Sequence, residues 1–198
     1  MFGLFKKKVV INHAEQLAEW ERNGKPVPPP HIVKQMAIDA YRKKYQLDIL
    51  VETGTYLGDM VEAQRASFKK IYSIELSEKL FDKAGKRFKE FTQIKILHGD
   101  SGVVLNKLLP EIDKPALFWL DGHYSGGITA QGNKDCPVPE ELNAILKSKF
   151  DHVILIDDAR LFNGTNDYPT IDEIKAMIEA SGKKFTIETK DDIIRITQ

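Results

Sequence analysis

The chain has 198 residues, 42% hydrophobic and 29% charged, with Lys+Arg and Asp+Glu both at 29 and a net charge of zero. That length suits one domain with a substantial core, and the balanced charge argues against a nucleic-acid binder working through a bulk basic footprint. A lone cysteine, Cys136, excludes an intramolecular disulfide and points to a reducing, cytoplasmic compartment. No apolar run reaches the length of a membrane span. The N-terminus places Phe2, Leu4 and Phe5 before Lys6, Lys7 and Lys8, the reverse of a secretory signal.

Residues 12–23 read as a helix capped by Asn12, with Leu17 and Trp20 toward the core and Asn23-Gly24 as its stop. Pro26-Val27-Pro28-Pro29-Pro30 forms a stiff extended linker. His31 to Tyr45 is helical, with Ile32, Met36, Ala40 and Tyr41 spaced for one face. Residues 1–47 are thus a helical N-terminal extension, and 48–198 a separate α/β domain. From Asp48 strands and helices alternate: strand 48–53, helix 58–68, strand 70–75, a helix from the Ser77 cap to about Phe91, and strand 94–97. A helix follows Asp100-Ser101, then strand 115–120, a long loop 121–137, helix 138–148, strand 152–156 and helix 170–180. The last two apolar runs, 184–189 and 193–197, flank Lys190-Asp191-Asp192; so short a turn makes them antiparallel, because a parallel pair needs a crossover.

The stretch from Asp48 to Gly58 organises the rest. Ile49-Leu50-Val51 is the apolar run of a buried strand, and it ends in the acid Glu52. Gly54 and Gly58 frame a tight turn, and a helical pattern starts at Asp59. Strand, glycine turn and helix present a nucleotide-like ligand at the carboxyl end of the first strand of a doubly wound fold, and the helix N-terminus offers free N–H groups to an anion. The spacing is Glu-x-Gly-x-x-x-Gly, and the dinucleotide fingerprint G-x-G-x-x-G is absent. This motif resembles that of the class I S-adenosylmethionine-dependent methyltransferases, an acid followed by Gly-x-x-x-Gly. The resemblance extends over about 48–198, where five β/α units close in an antiparallel hairpin, as in that family's Rossmann-like, seven-stranded sheet. It implies S-adenosylmethionine as cofactor, with Glu52, Gly54, Thr55, Tyr56 and Gly58 around it, and an N-terminal extension that covers the cleft or forms a homodimer.

Four further clusters stand at strand ends. Glu75 ends the second strand, where a carboxylate accepts two hydrogen bonds from ribose hydroxyls; its alternative is an acid capping the next helix. Asp100, with Ser101, follows the third strand; the resemblance implies a contact to the adenine amino group, and the alternative is helix capping. After the fourth strand, Asp121 could hold the methionine amino group, bind a metal or orient the acceptor, and His123 is a candidate general base. Asp157 and Asp158 follow the fifth strand, and two adjacent acids there need neutralising, by a divalent cation that takes oxygens from Asp121, Asp157 and Asp158 or by an arginine such as Arg160. An Asp after strand four with an Asp-Asp pair after strand five is similar to the macrocin-type, metal-dependent sugar O-methyltransferases, from which this chain departs at His123. Cys136, His13, His31 and His152 have no evident partners, and Glu140 and Glu141 read as acids that suit a helix N-terminus.

These residues point to methyl transfer from S-adenosylmethionine to a small-molecule acceptor, at a hydroxyl and with possible help from Mg²⁺. The amino-methyltransferase signature Asn/Asp-Pro-Pro-Tyr/Phe is missing where Asp121-Gly122-His123-Tyr124 stands, so no nucleic-acid acceptor is expected. Three rivals remain: a non-catalytic ligand-binding or scaffold protein that keeps the fold; an NAD-linked oxidoreductase, which predicts the missing G-x-G-x-x-G turn and a parallel sixth strand; and a glycosyl- or phosphoryl-processing enzyme using the Asp cluster alone, which demands metal for every ligand effect.

Overall fold

The runs Ile49–Thr53 (β1), Leu117–Leu120 (β4) and Val153–Ile156 (β5) are buried at every position. Strands covered on both faces are written as unbroken apolar runs, and they belong in the middle of a parallel sheet with helices on either side. The computed structural model, which describes residues 12–122 and 136–198, places them there. With Lys70–Glu75 (β2), Ile94–His98 (β3), Thr186–Lys190 (β6) and Ile193–Thr197 (β7), they form one seven-stranded sheet in the order β3-β2-β1-β4-β5-β7-β6. β1 to β5 pair in parallel, and β7 runs antiparallel to both β5 and β6. From β1 the chain steps outward through β2 to β3, then returns to β4 on the other side. The crevice above the carboxyl ends of β1 and β4 is therefore the topological switch point.

The helices are His13–Arg22 (α1), His31–Tyr45 (α2), Asp59–Gln64 (α3), Glu78–Phe88 (α4), Ser101–Leu108 (α5), Val138–Leu146 (α6) and Ile171–Ala180 (α7). Side-chain alternation along the strands splits the core in two. Val51, Phe118 and Ile154 face α5, α6 and α7 through Leu105, Leu142 and Ile174. Leu50, Trp119 and Leu155 face α2, α3 and α4 through Ile38, Val61 and Phe88. The caps expected at Asn12, Ser77 and Asp100 each accept a backbone N–H from the first turn of their helix. Thr170 and Glu173 add a reciprocal capping box to α7.

α6 ends at Leu146 rather than 148, and the first hairpin strand is Thr186–Lys190 rather than 184–189; two helices differ in ways that bear on the packing. α3 stops at Gln64 rather than running to residue 68, because Ser67 and Phe68 donate their N–H groups back to Gln64 O and turn the chain into β2. α2 has the expected length but buries Val33, Ala37 and Ile38, whereas Met36 is 49% exposed. Its apolar residues cover a wide arc, and the sheet takes the edge on which small Ala37 permits close approach. Tyr41 instead donates its hydroxyl to Glu188 of the hairpin over 2.7 Å.

α2 thus packs as the outer layer of the sheet over β4 and β5, even though it precedes β1 in the chain. Truncating Ile38, which is fully buried, to alanine is expected to lower stability by about 2–4 kcal/mol within one cooperative transition, measured by urea denaturation. An unchanged midpoint, or a separate early transition, would show that α2 is not part of the core.

Candidate functional site

The turn after β1 fits into a space that only glycines leave open. Gly54 has φ +82°, and a Cβ there would lie 2.3 Å from the Asp121 carbonyl oxygen, so the turns after β1 and β4 touch backbone to backbone. Gly58 has φ +80°, and its Cβ would lie 2.6 Å from Phe88 Cε2 on α4. Between them Tyr56 takes a left-handed conformation, φ +50°, which turns its N–H toward the end of β2. There Glu75 Oε2 accepts it over 2.8 Å, while Glu75 Oε1 accepts Ser77 N–H over 2.9 Å. One buried carboxylate thereby clasps the glycine turn to the start of α4, which is the helix-capping reading of Glu75.

Glu52 lies beneath this turn. Its side chain is buried and accepts the Ser73 hydroxyl, which also bonds to Thr55 Oγ1 over 2.6 Å. Burial pushes its carboxyl up to about 8, with the neighbouring Glu75 adding to the rise and the Ser73 hydrogen bond opposing it. Glu52 is therefore mostly protonated at neutral pH and supports the turn from below, bonded to β2.

Asp100 caps α5, its Oδ1 accepting Gly102 N–H over 2.9 Å, and Ser101 is buried beside it. Against them lies an acid that the sequence reading treated as ordinary. Glu141 is completely buried, beside the Thr53 and Ser101 hydroxyls. Burial, with Asp100 and Glu140 adding, pushes it up to about 7 although both hydroxyls favour its charge. The signal was in the sequence: Glu141 stands three residues after Val138 and four before Ile145, both buried, on the apolar face of α6. Cys136 is buried with its thiol pushed up to about 12 by burial, which leaves it inert. His152 is structural: Nδ1 accepts Ala116 N–H, Nε2 lies 2.8 Å from Ser148 Oγ, and burial lowers its pKa to about 4.

Asp121 closes β4, its N–H donating to Thr53. His123 and the expected loop through residue 135 lie outside the described residues. After β5, the two acids are neutralised by protein cations. Lys34, from α2, forms an ion pair with Asp157 and lies 3.6 Å from Asp158 Oδ1. Arg160 Nη1 donates to Asp158 Oδ1 over 2.8 Å and also pairs with Asp192 in the β6–β7 turn. Two acids of the expected metal set, Asp157 and Asp158, are therefore already engaged, and no group of three or more His, Cys, Asp or Glu among the described residues is placed to hold a metal. Lys34 was not legible as a site residue, since 123 positions separate it from Asp157.

No family model matches the chain, and no curated protein sequence is close enough to match. Solved structures do. The O-methyltransferase TomG of Streptomyces achromogenes, involved in tomaymycin synthesis and determined with SAM, aligns over 95% of this chain and 91% of its own with a TM-score of 0.56 at 15% identity. An O-methyltransferase of Bacillus cereus, determined with SAH, aligns over 96% and 94% with a TM-score of 0.60 at 14% identity. The chain has the Rossmann-like methyltransferase fold. The 23S rRNA methyltransferase ErmE shares it over 82% of this chain and 67% of its own, with a TM-score of 0.50 at 13% identity, so the fold alone does not select an acceptor.

The buried acids predict how stability responds to pH. Glu52 and Glu141 have folded-state values raised from 4.5, so their contribution is complete below that value and is lost as the pH climbs through about 7 for Glu141 and about 8 for Glu52. His152, lowered from 6.5, acts in the opposite sense and only below 6.5. Between pH 6.5 and 8 the effect of Glu52 and Glu141 dominates, and unfolding free energy is expected to fall by about 2 kcal/mol. Urea denaturation at both pH values tests this: Glu52→Gln should flatten most of the fall, and a wild type that gains stability over that interval contradicts it.

Proposed function

We propose that the protein is an S-adenosylmethionine-dependent methyltransferase that acts at a hydroxyl of a small-molecule acceptor. The observation that carries this reading is the Glu75 clasp at the switch-point crevice. Each Glu75 oxygen accepts one backbone amide and keeps a second acceptor position, so the side chain can receive the two ribose hydroxyls without releasing the turn. Asp100 commits Oδ1 to its helix, which leaves Oδ2 for the adenine amino group. Gly54 supports the reading indirectly, because its missing side chain lets the turns after β1 and β4 close together beside Glu75.

When bound, the cofactor supplies a methyl group already made electrophilic by its sulfonium. The task left to the chain is alignment, which accounts for much of the rate when two reactants are held in line. The turn 54–58 and Glu75 would hold the nucleoside end, and Asp121 would receive the amino-acid end. His123, two residues beyond Asp121, takes the proton from the acceptor hydroxyl. Zero net charge and the absence of the amino-methyltransferase signature favour a small acceptor over a nucleic acid. The ion pairs of Asp157 and Asp158 favour a metal-free form of the reaction over the macrocin-type, metal-assisted one.

Calorimetric titration with S-adenosylhomocysteine tests the reading. Micromolar binding is expected for the wild type, and Glu75→Gln, which keeps the shape but not the charge, should weaken it by about tenfold or more, since hydrogen bonds to a charged group contribute about 1.5–3 kcal/mol. A wild type that does not bind points to a scaffold that retains the fold. Unchanged affinity in a folded Glu75→Gln variant removes Glu75 from the site.

A further inference from the structure

A carboxylate cluster at the end of two parallel strands needs a cation, and this chain carries its own. Lys34 projects from α2, anchored by Val33, Ala37 and Ile38 in the core. Its ammonium pairs with Asp157 and lies 3.6 Å from Asp158 Oδ1, and its side chain is 16% exposed against 0% for that of Asp157. A second observation marks the spot as a cation position. Asp157 Oδ1 is buried without a hydrogen-bond partner, so the carboxylate has acceptor capacity that one ammonium does not use.

We propose that Lys34 is the resident cation of this cleft: it holds the place beside Asp157 and Asp158 that an added cation would need, and these acids bind no metal while it is in place. An ammonium is a compact point charge with three donors. A divalent ion instead requires about six oxygen ligands in a close shell, and the Lys34 ammonium beside Asp157 and Asp158 repels a second cation from the same oxygens. The consequence for the reaction rests on the methyltransferase reading: the acceptor side of the cleft has a fixed positive charge that chelators cannot remove. The metal-binding claim stands without that reading.

The test uses the full chain and Mn²⁺ alone, followed by calorimetry and by the paramagnetic resonance of free Mn²⁺. The wild type should show no saturable binding in the millimolar range. Lys34→Met, which keeps the length and removes the charge, should bind Mn²⁺ with a dissociation constant below about a millimolar and gain thermal stability from it, and adding Asp157→Asn should abolish both effects. Lys34→Gln serves where Lys34→Met does not fold. Saturable Mn²⁺ binding by the wild type that Asp157→Asn removes overturns the proposal, as does a folded Lys34 variant that binds no Mn²⁺. Titration with S-adenosylhomocysteine in the same samples separates this outcome from failure of the cofactor reading, because the ribose clasp at Glu75 lies apart from the Lys34 pair.

Discussion

Two amides that belong to no strand ladder, those of Tyr56 and Ser77, find their acceptor in one carboxylate, Glu75. Bonds to an ionised acceptor are about twice as strong as neutral ones, and these two tie three elements: the turn after β1, the end of β2 and the start of α4. Gly54 and Thr55 direct their N–H groups to Ile74 O in the same place, and Gly99 N–H reaches Glu75 O from the end of β3. The carboxyl ends of β1, β2 and β3 are therefore stitched into one surface. Gly54 brings the fourth strand in, since its missing side chain lets the Asp121 backbone close against it. The cleft follows from these contacts, and a doubly wound sheet without them would have an open switch point and loose loops.

A second set of charges closes the opposite side. Lys34 joins α2 to the end of β5, and Arg160 joins the end of β5 to the hairpin turn at Asp192, whose carbonyl also accepts Ala159 N–H. Asp158 and Asp192 both sit in the left-handed region, at φ +56° and +61°, conformations that Asp tolerates better than most residues. Buried pairs of this kind contribute little net stability relative to an apolar replacement, but removing one partner is costly. Their effect is to fix register: the first packed helix and the last two strands are held to the same acids that border the cleft.

Much of the fold was legible because the chain is locally consistent. β4 and β5 are unbroken apolar runs and β1 opens on one, Ile49-Leu50-Val51; the glycine spacing marks the first turn, and the short turn at Asp191-Asp192 forces the antiparallel end. The face of α2 was misread because Ile32-Met36-Ala40 and Val33-Ala37-Ile38 form adjacent stripes, and only the sheet decides between them. Glu75, Asp100 and Asp121 could be placed from their positions at strand ends. Lys34 and Glu141 could not be placed that way. The role of Lys34 exists only through a contact made by the fold, and Glu141 resembles any acid at a helix start until the apolar residues at its helical spacing are weighed.

The central claim is that the surface joined by Glu75, Gly54 and Asp121 receives the cofactor. Backbone amide spectra of isotopically labelled protein, recorded with and without S-adenosylhomocysteine, test it most directly. The account predicts shifts concentrated at residues 54–58, 75–77, 99–102 and 121–122, with α7 and the outer face of α2 unchanged. Saturable shifts elsewhere that spare the 54–58 turn, or none at saturating ligand, would contradict it.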